Sequence, residues 1–172
     1  MNLLDRCFEG SGEIPKRLIK VQESVNKAEE HLEKANKNLL AATKMNEFKF
    51  FDWTITCSYY AMYHATMASL WLIGLDARSH ECAIVAFETF YVQERKVFPD
   101  YTEYVKKAKK LSKTYSDSLE YAKTERIKAS YGLGEITSQE ANKVLNDGRD
   151  FITEITKIVF EKKGFEYIKP NK

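Results

Sequence analysis

Ser58-Tyr59-Tyr60-Ala61-Met62-Tyr63-His64-Ala65 lies in a segment whose apolar residues surround a helical axis almost completely: Phe48, Phe51, Trp53, Ile55, Tyr59, Tyr60, Met62, Tyr63, Met67, Leu70 and Trp71. A helix that is apolar all round is buried among others. The pattern predicts a central helix over residues 47–72, closed by Gly74, which can take the left-handed conformation that ends a helix. Three tyrosines and a histidine stand where an ordinary core helix carries leucines. They cannot all face one core, so at least one is expected in a polar cleft or a subunit interface.

The flanking sequence is helical too. Val21, Val25, Ala28, Leu32, Ala35, Leu39 and Ala42 recur at alternating steps of four and three, the stripe of an amphipathic helix over 16–45. Pro15 suits its first turn. Glu23 with Lys27, Glu30 with Lys34 and Glu33 with Lys37 mark its outer face as i,i+4 pairs. Ser79 is a candidate N-cap for a helix over 80–95, and Phe98-Pro99-Asp100 breaks the pattern. A fourth helix is expected over 101–130, ended by Gly132 and Gly134. Thr137-Ser138-Gln139-Glu140 has the form of a capping box, so a fifth helix starts near Ser138 and continues to about Lys162, with Gly164 closing it. The expected fold is all-α, an up-and-down antiparallel bundle of about five helices over 16–163, with tails at 1–15 and 164–172.

Composition bounds the function. The 172 residues are 44% hydrophobic and 30% charged, the profile of a globular protein. No apolar run reaches the roughly 20 residues of a membrane span and no signal peptide precedes the bundle, so the expectation is a cytoplasmic protein without membrane contact. Cys7, Cys57 and Cys82 are odd in number and form no C-x-x-C pair. They are expected to be reduced, with Cys57 and Cys82 as small buried side chains. The net charge of +2 is uneven, because 101–128 holds eight lysines and arginines against four acids. Lys106, Lys110 and Lys113 form a strip on one face. Such a strip attracts phosphates, though a solvated lysine-rich face is the simpler account.

Several chemistries are set aside. None of His31, His64 and His80 has a glutamate three positions before it, as a di-iron bundle requires, and no glycine-rich phosphate loop is present. Cys57 and His64 stand nearly two helical turns apart, too far for a nucleophile and its base. His64 reads most simply as a hydrogen-bonded core histidine, and His80 as part of the first turn after Ser79. Arg126 has Glu125, Glu120 and Asp117 as structural partners within reach on its own helix.

The aromatic run, Gly74, Ser79-His80, Arg126 with Ala129-Ser130-Tyr131-Gly132, and the capped last helix together resemble the HEPN superfamily (higher eukaryotes and prokaryotes nucleotide-binding). The likeness is to its compact bacterial and archaeal branch with a Tyr-Tyr-Ala-Met-Phe-His-Ala signature, and covers about residues 20–160. The resemblance implies a bundle that pairs into a homodimer. Active members are metal-independent ribonucleases, often toxins encoded beside a small nucleotidyltransferase, with an arginine followed after four to six residues by a histidine. Arg126 matches the arginine. At the histidine positions this chain has Tyr131, Gly132 and Leu133, and a phenol with a pKa of about 10 is a poor base at pH 7.

The expected function is therefore that of a HEPN-type bundle binding a nucleotide or RNA through Arg126, Lys128 and Tyr131, with Tyr60 and Tyr63 stacking on a base. The standard nuclease motif is incomplete. One alternative is a metal-independent ribonuclease toxin of a toxin-antitoxin pair, using Arg126 with Tyr131, His64 or His80. The other is a dimeric interaction module for a nucleotidyltransferase partner. No metal or cofactor is expected.

Overall fold

The computed structural model describes residues 2–10, 15–92, 113–131 and 136–168. Its elements, in chain order, are α1 (Leu3–Glu9), β1 (Leu18–Lys20), α2 (Val25–Glu47), α3 (Phe51–Leu72), β2 (Leu75–Ala77), α4 (His80–Phe87) continued by a π-helical turn (Glu88–Val92), α5 (Lys113–Tyr131) and α6 (Ser138–Ile168). The all-α bundle read from the sequence is the observed architecture. No described helix is long and apolar enough to cross a membrane.

α3 is the central rod, packed against α2, α4, α5 and α6. Its buried residues include Ile55, Tyr59, Ala61, Met62, Ala65, Ala68 and Leu70, so little of its surface is left for water. Polar side chains on it then depend on partners inside the protein, which Ser58 Oγ and Trp71 Nε1 lack among the described residues. Thr54 and Thr66 donate to the carbonyls of Phe50 and Met62 one turn back, at 3.1 and 3.0 Å. α2 lays Val25, Ala28, Leu32 and Ala35 against the core. Glu33 keeps its expected partner Lys37 on the outer face.

The capping box before α6 is formed. Glu140 N–H donates to Thr137 Oγ1 at 3.2 Å, while Glu140 Oε2 accepts from Thr137 N–H at 2.8 Å. From there Ala141, Val144, Leu145, Phe151, Ile152 and Ile155 run along the core side.

Four features depart from the sequence-based expectation. The first long helix begins at Val25, capped by Ser24, whose hydroxyl accepts from Lys27 N–H. The residues before it form β1, paired antiparallel with β2 in the register Leu18↔Ala77, Ile19↔Asp76 and Lys20↔Leu75. Glu23 therefore precedes the helix and pairs with Lys162 on α6 at 2.8 Å. α6 runs through Gly164 rather than stopping there. A glycine permits a left-handed cap without imposing one, and the pairs Glu23–Lys162 and Glu29–Lys163 hold these last turns to α2 and its approach.

The N-terminal segment is the third departure: where a tail is expected, α1 is a helix with its own capping box between Asn2 and Asp5. The fourth is redox state. Cys7 and Cys82 are joined in a disulfide, not reduced, while Cys57 alone among the three is a free, half-buried thiol. Cys7 comes from the buried face of α1 and Cys82 from the first turn of α4, and both are fully buried. The expected helix over 101–130 is described only from Lys113 onward, so Lys106 and Lys110 of the basic strip lie outside the described residues, as does the Lys113 side chain.

Two tests follow from this packing. The bond between Cys7 and Cys82 spans 75 residues, and a loop of that length is worth about 4 kcal/mol in the chain-entropy account. Guanidinium unfolding of a Cys7→Ser/Cys82→Ser variant should show a loss of that order, and unchanged stability would mean the thiols do not bond. The two glycines packed against neighbours should respond in opposite directions. At Gly148 an added Cβ would meet Met62 Cγ at 3.6 Å, ordinary contact, so Gly148→Ala should gain about 0.5–1 kcal/mol. Gly74 has φ +68° and would push a Cβ to 2.7 Å from the Val21 carbonyl oxygen, so Gly74→Ala should lose more than about 1 kcal/mol.

Candidate functional site

Residues 59 and 63 lie one helical turn apart on α3, so their side chains share a face. Against that face the first residue of α4 inserts its ring. His80 stacks on Tyr63 with centroids 4.1 Å apart and planes within 12°, and lies nearly parallel to Tyr59 at 5.5 Å. The Tyr59 hydroxyl is 2.5 Å from His80 Nδ1. Tyr60 meets the Tyr59 and His80 rings edge-on. From α5, the Arg126 guanidinium carbon stands 5.3 Å from the centroid of the Tyr59 ring. Arginine and histidine, far apart in sequence, thus converge on one tyrosine.

Local structure explains why His80 is held there. Ser79 is extended and caps α4 through its hydroxyl, which accepts from Cys82 N–H. β2 immediately before is paired to β1, and Arg78 N–H donates to the Arg17 carbonyl at 2.7 Å. Cys82, two residues on, is tied to α1. His80 is therefore fixed from both sides.

Arg126 has no ion pair among the described residues, and its Nε is buried without a hydrogen-bond partner. Two of the three carboxylates considered for it go elsewhere. Glu125, 2% exposed, pairs with Lys128 at 2.6 Å, and Glu120 lies 3.7 Å from Lys123. Lys128 is consequently on another face of α5 from Arg126, engaged with Glu125. Tyr131 is the last residue of α5, and its side chain lies outside the described part.

His64 points to a different neighbour. Its Nδ1 is 3.2 Å from Nδ1 of His31 on α2, with the rings stacked at 5.4 Å. Two ring nitrogens at that distance share one hydrogen, so one imidazole donates and the other accepts. Tyr63 touches the His64 ring edge-on, which makes an unbroken row of rings from His31 through His64 and Tyr63 to His80 and Tyr59. The sequence reading did not bring His31 into the site. Its position three residues after Ala28 on the α2 stripe is the signal that it borders the core.

The electrostatics favour neutral rings around one cation. Burial lowers the His80 pKa, and Arg126 and then Lys123 lower it further. Burial drives His64 down to about 4, with contributions from His31, Lys34 and His80. In His31 burial lowers the value while Asp76 opposes it. The Tyr59 phenol is pushed well above its ordinary range by burial, against the pull of Arg126, and burial also raises Tyr63. At neutral pH the cleft holds protonated phenols, uncharged imidazoles and a guanidinium with no carboxylate paired to it among the described residues. Such a set can bind an anion through N–H and O–H donors, and half-open tyrosine faces can stack a base. Among the described residues no three potential ligands cluster to hold a metal ion.

Comparison with known proteins places this geometry. The family profile of the HEPN domain matches residues 28–159, a span that carries Tyr59, His80 and Arg126 and leaves out α1 and β1. Two proteins of Methanocaldococcus jannaschii are similar to the chain. "Putative toxin MJ0605" is 26% identical over 130 residues, covering 76% of this chain and 87% of the relative. "Putative toxin MJ0142" is 23% identical over 134 residues, covering 78% and 82%.

The histidine pair predicts an acid response. A histidine whose folded pKa is depressed stabilises the fold above its unfolded value of about 6.5, and that contribution is lost as pH falls through the folded value. With His64 at about 4, unfolding midpoints should decline as pH drops from about 6.5 to about 4. A His64→Phe variant should decline less steeply. NMR titration of His64 with an ordinary midpoint would contradict this.

Proposed function

We propose that this chain, which belongs to the HEPN domain family, binds the phosphate of RNA or a nucleotide in the cleft where Arg126 and His80 meet Tyr59. The observation that carries the reading is the Arg126 guanidinium, without an ion pair among the described residues and stacked over Tyr59 beside His80. Guanidinium is planar and permanently charged, and its fork of donors matches two phosphate oxygens. Tyr60 and Tyr63, half-buried at the same cleft, offer ring faces and hydroxyls to the attached base and sugar. Lys128, on another face of α5 and neutralised by Glu125, stands outside this cleft, and Tyr131 extends the same helix end. The protein works in the cytoplasm as a homodimer, with a nucleotidyltransferase as its candidate partner.

A second reading is favoured by one specific feature. The histidine absent after Arg126 in sequence has a spatial counterpart in His80, so a metal-independent ribonuclease toxin would have its arginine and an imidazole side by side. The printed names of the two archaeal relatives point the same way for those proteins.

Purified protein and an Arg126→Ala variant, incubated with labelled single-stranded and transfer RNA in EDTA, separate the two readings. Under the binding reading the wild type retains intact RNA on a filter and loses affinity as salt rises, because phosphate contacts release counterions. Arg126→Ala should weaken binding about ten-fold or more, the scale of a charge-assisted hydrogen bond. Cleavage that disappears in the variant would instead establish the nuclease. Salt-independent binding, equal in both proteins, would defeat the phosphate reading.

A further inference from the structure

We infer that Tyr59 is a positioning residue that locks His80 in the tautomer with its hydrogen on Nε2, making this histidine a hydrogen-bond donor to a bound phosphate and not a general base. The argument begins with the phenol. Tyr59 is 0% exposed, so its hydroxyl hydrogen has no water to bond. The partner of that oxygen among the described residues is His80 Nδ1, at 2.5 Å.

A neutral imidazole carries one hydrogen, on one nitrogen or the other. If it sat on Nδ1, that nitrogen would donate to the phenol oxygen, and the phenol hydrogen would be stranded in the core. A buried donor without an acceptor is costly, whereas O–H to Nδ1 satisfies both groups. The phenol therefore donates, Nδ1 accepts, and the hydrogen stays on Nε2. Burial keeps the phenol protonated against the pull of Arg126, and burial together with Arg126 keeps the imidazole uncharged.

Turning the ring over would keep its stack but put a carbon against the buried phenol and strand the phenol hydrogen. The ring is stacked against Tyr63 at 4.1 Å, and its backbone is held by the Ser79 cap and the adjacent disulfide. Nε2 lies across the ring from the Tyr59 hydroxyl and has no hydrogen-bond partner among the described residues. Arg126 stands over the same Tyr59 ring, so the cleft combines this N–H with the donors of the guanidinium. Both groups give hydrogen bonds and neither has a lone pair free to take the proton of a ribose hydroxyl. The consequence for phosphate rests on the proposed function, whereas the tautomer does not.

The experiment reads the tautomer directly. Protein labelled with nitrogen-15 at its histidines, free of ligand at pH 7, is examined by long-range proton–nitrogen correlation. The expected His80 pattern is a downfield, unprotonated Nδ1 and an upfield, protonated Nε2. The reverse pattern, or an even mixture, overturns the inference whatever the cleft binds. A Tyr59→Phe variant removes only the hydroxyl and should shift His80 toward the other tautomer, and an unchanged pattern in a folded variant would overturn the role of Tyr59. If that variant fails to fold, the wild-type spectrum still decides.

Binding of a short single-stranded RNA oligonucleotide tests the donor role separately. His80→Ala should weaken it about ten-fold, while His80→Gln, whose side-chain amide restores an N–H near the Nε2 position, should recover most of the loss. Equal binding by His80→Ala and wild type overturns the donor role and leaves the tautomer standing. Loss of RNA binding in Arg126→Ala with no effect of His80→Ala keeps the phosphate reading and removes His80 from it.

Discussion

The fold depends on one constraint: α3 has almost no outward surface. A helix wrapped by α2, α4, α5 and α6 finds partners for its polar groups inside the protein or, like Ser58 Oγ and Trp71 Nε1, finds none among the described residues. Threonines 54 and 66 are satisfied by bonding carbonyls of their own helix. Near the helix end the Ser69 carbonyl accepts from the buried Tyr91 hydroxyl, which reaches back from the π-helical turn. Tyrosines and histidines are too long to turn back on the helix. Each needs a partner on a neighbouring element, so Tyr59 takes His80 from α4 and His64 takes His31 from α2. The site arises where this need is met by groups that also have chemistry.

The non-helical pieces are concentrated around one of those partners. β1 and β2 form a ribbon where α2 begins and α3 ends, Gly74 makes the turn between α3 and β2 at φ +68°, and the disulfide fastens α1 to the first turn of α4. All three constrain the few residues leading into His80. Both cysteines are fully buried, which keeps their bond from an attacking thiolate, since exchange requires access to sulfur. Stability and the placing of the His80 ring are thus delivered by the same cross-link.

What the sequence revealed followed the range of each signal. The α2 stripe from Val25 on, the apolar α3, the Ser79 cap, the Thr137–Glu140 box and the turn at Gly74 are local patterns; the caps and the turn lie where they were read, while α2 and α3 begin at Val25 and Phe51, later than expected. Strands of three residues are too short to show alternation, so Leu18-Ile19-Lys20 looked like the start of a helix. The Cys7–Cys82 bond joins residues with nothing between them to suggest the pairing. Gly164 could end a helix, but contacts from residues well over a hundred positions away keep α6 going. At the site, Arg126, Tyr60, Tyr63 and His80 were legible as unusual residues on helices. The central role of Tyr59 was not, because it comes from the meeting of three helices rather than from any spacing.

Arg126 and Lys128 show how far position alone decides what a cation does. They are two residues apart on α5, about 200° around the helix. Lys128 falls beside the buried Glu125 carboxylate, which neutralises it. Arg126 falls over Tyr59, where the contact of a cation with a ring face is worth about 0.5–2 kcal/mol. Its buried Nε, with no partner among the described residues, costs about 1–3 kcal/mol. The two contributions nearly cancel, so the fold gains little from an arginine at this position and an apolar side chain of similar length would pack there without the cost. Among the described residues the guanidinium has no ion pair, and it shares the Tyr59 ring with the uncharged His80 imidazole, on which the Tyr59 hydroxyl is spent. That is a poor arrangement for stability alone and a good one for an anion that arrives from outside.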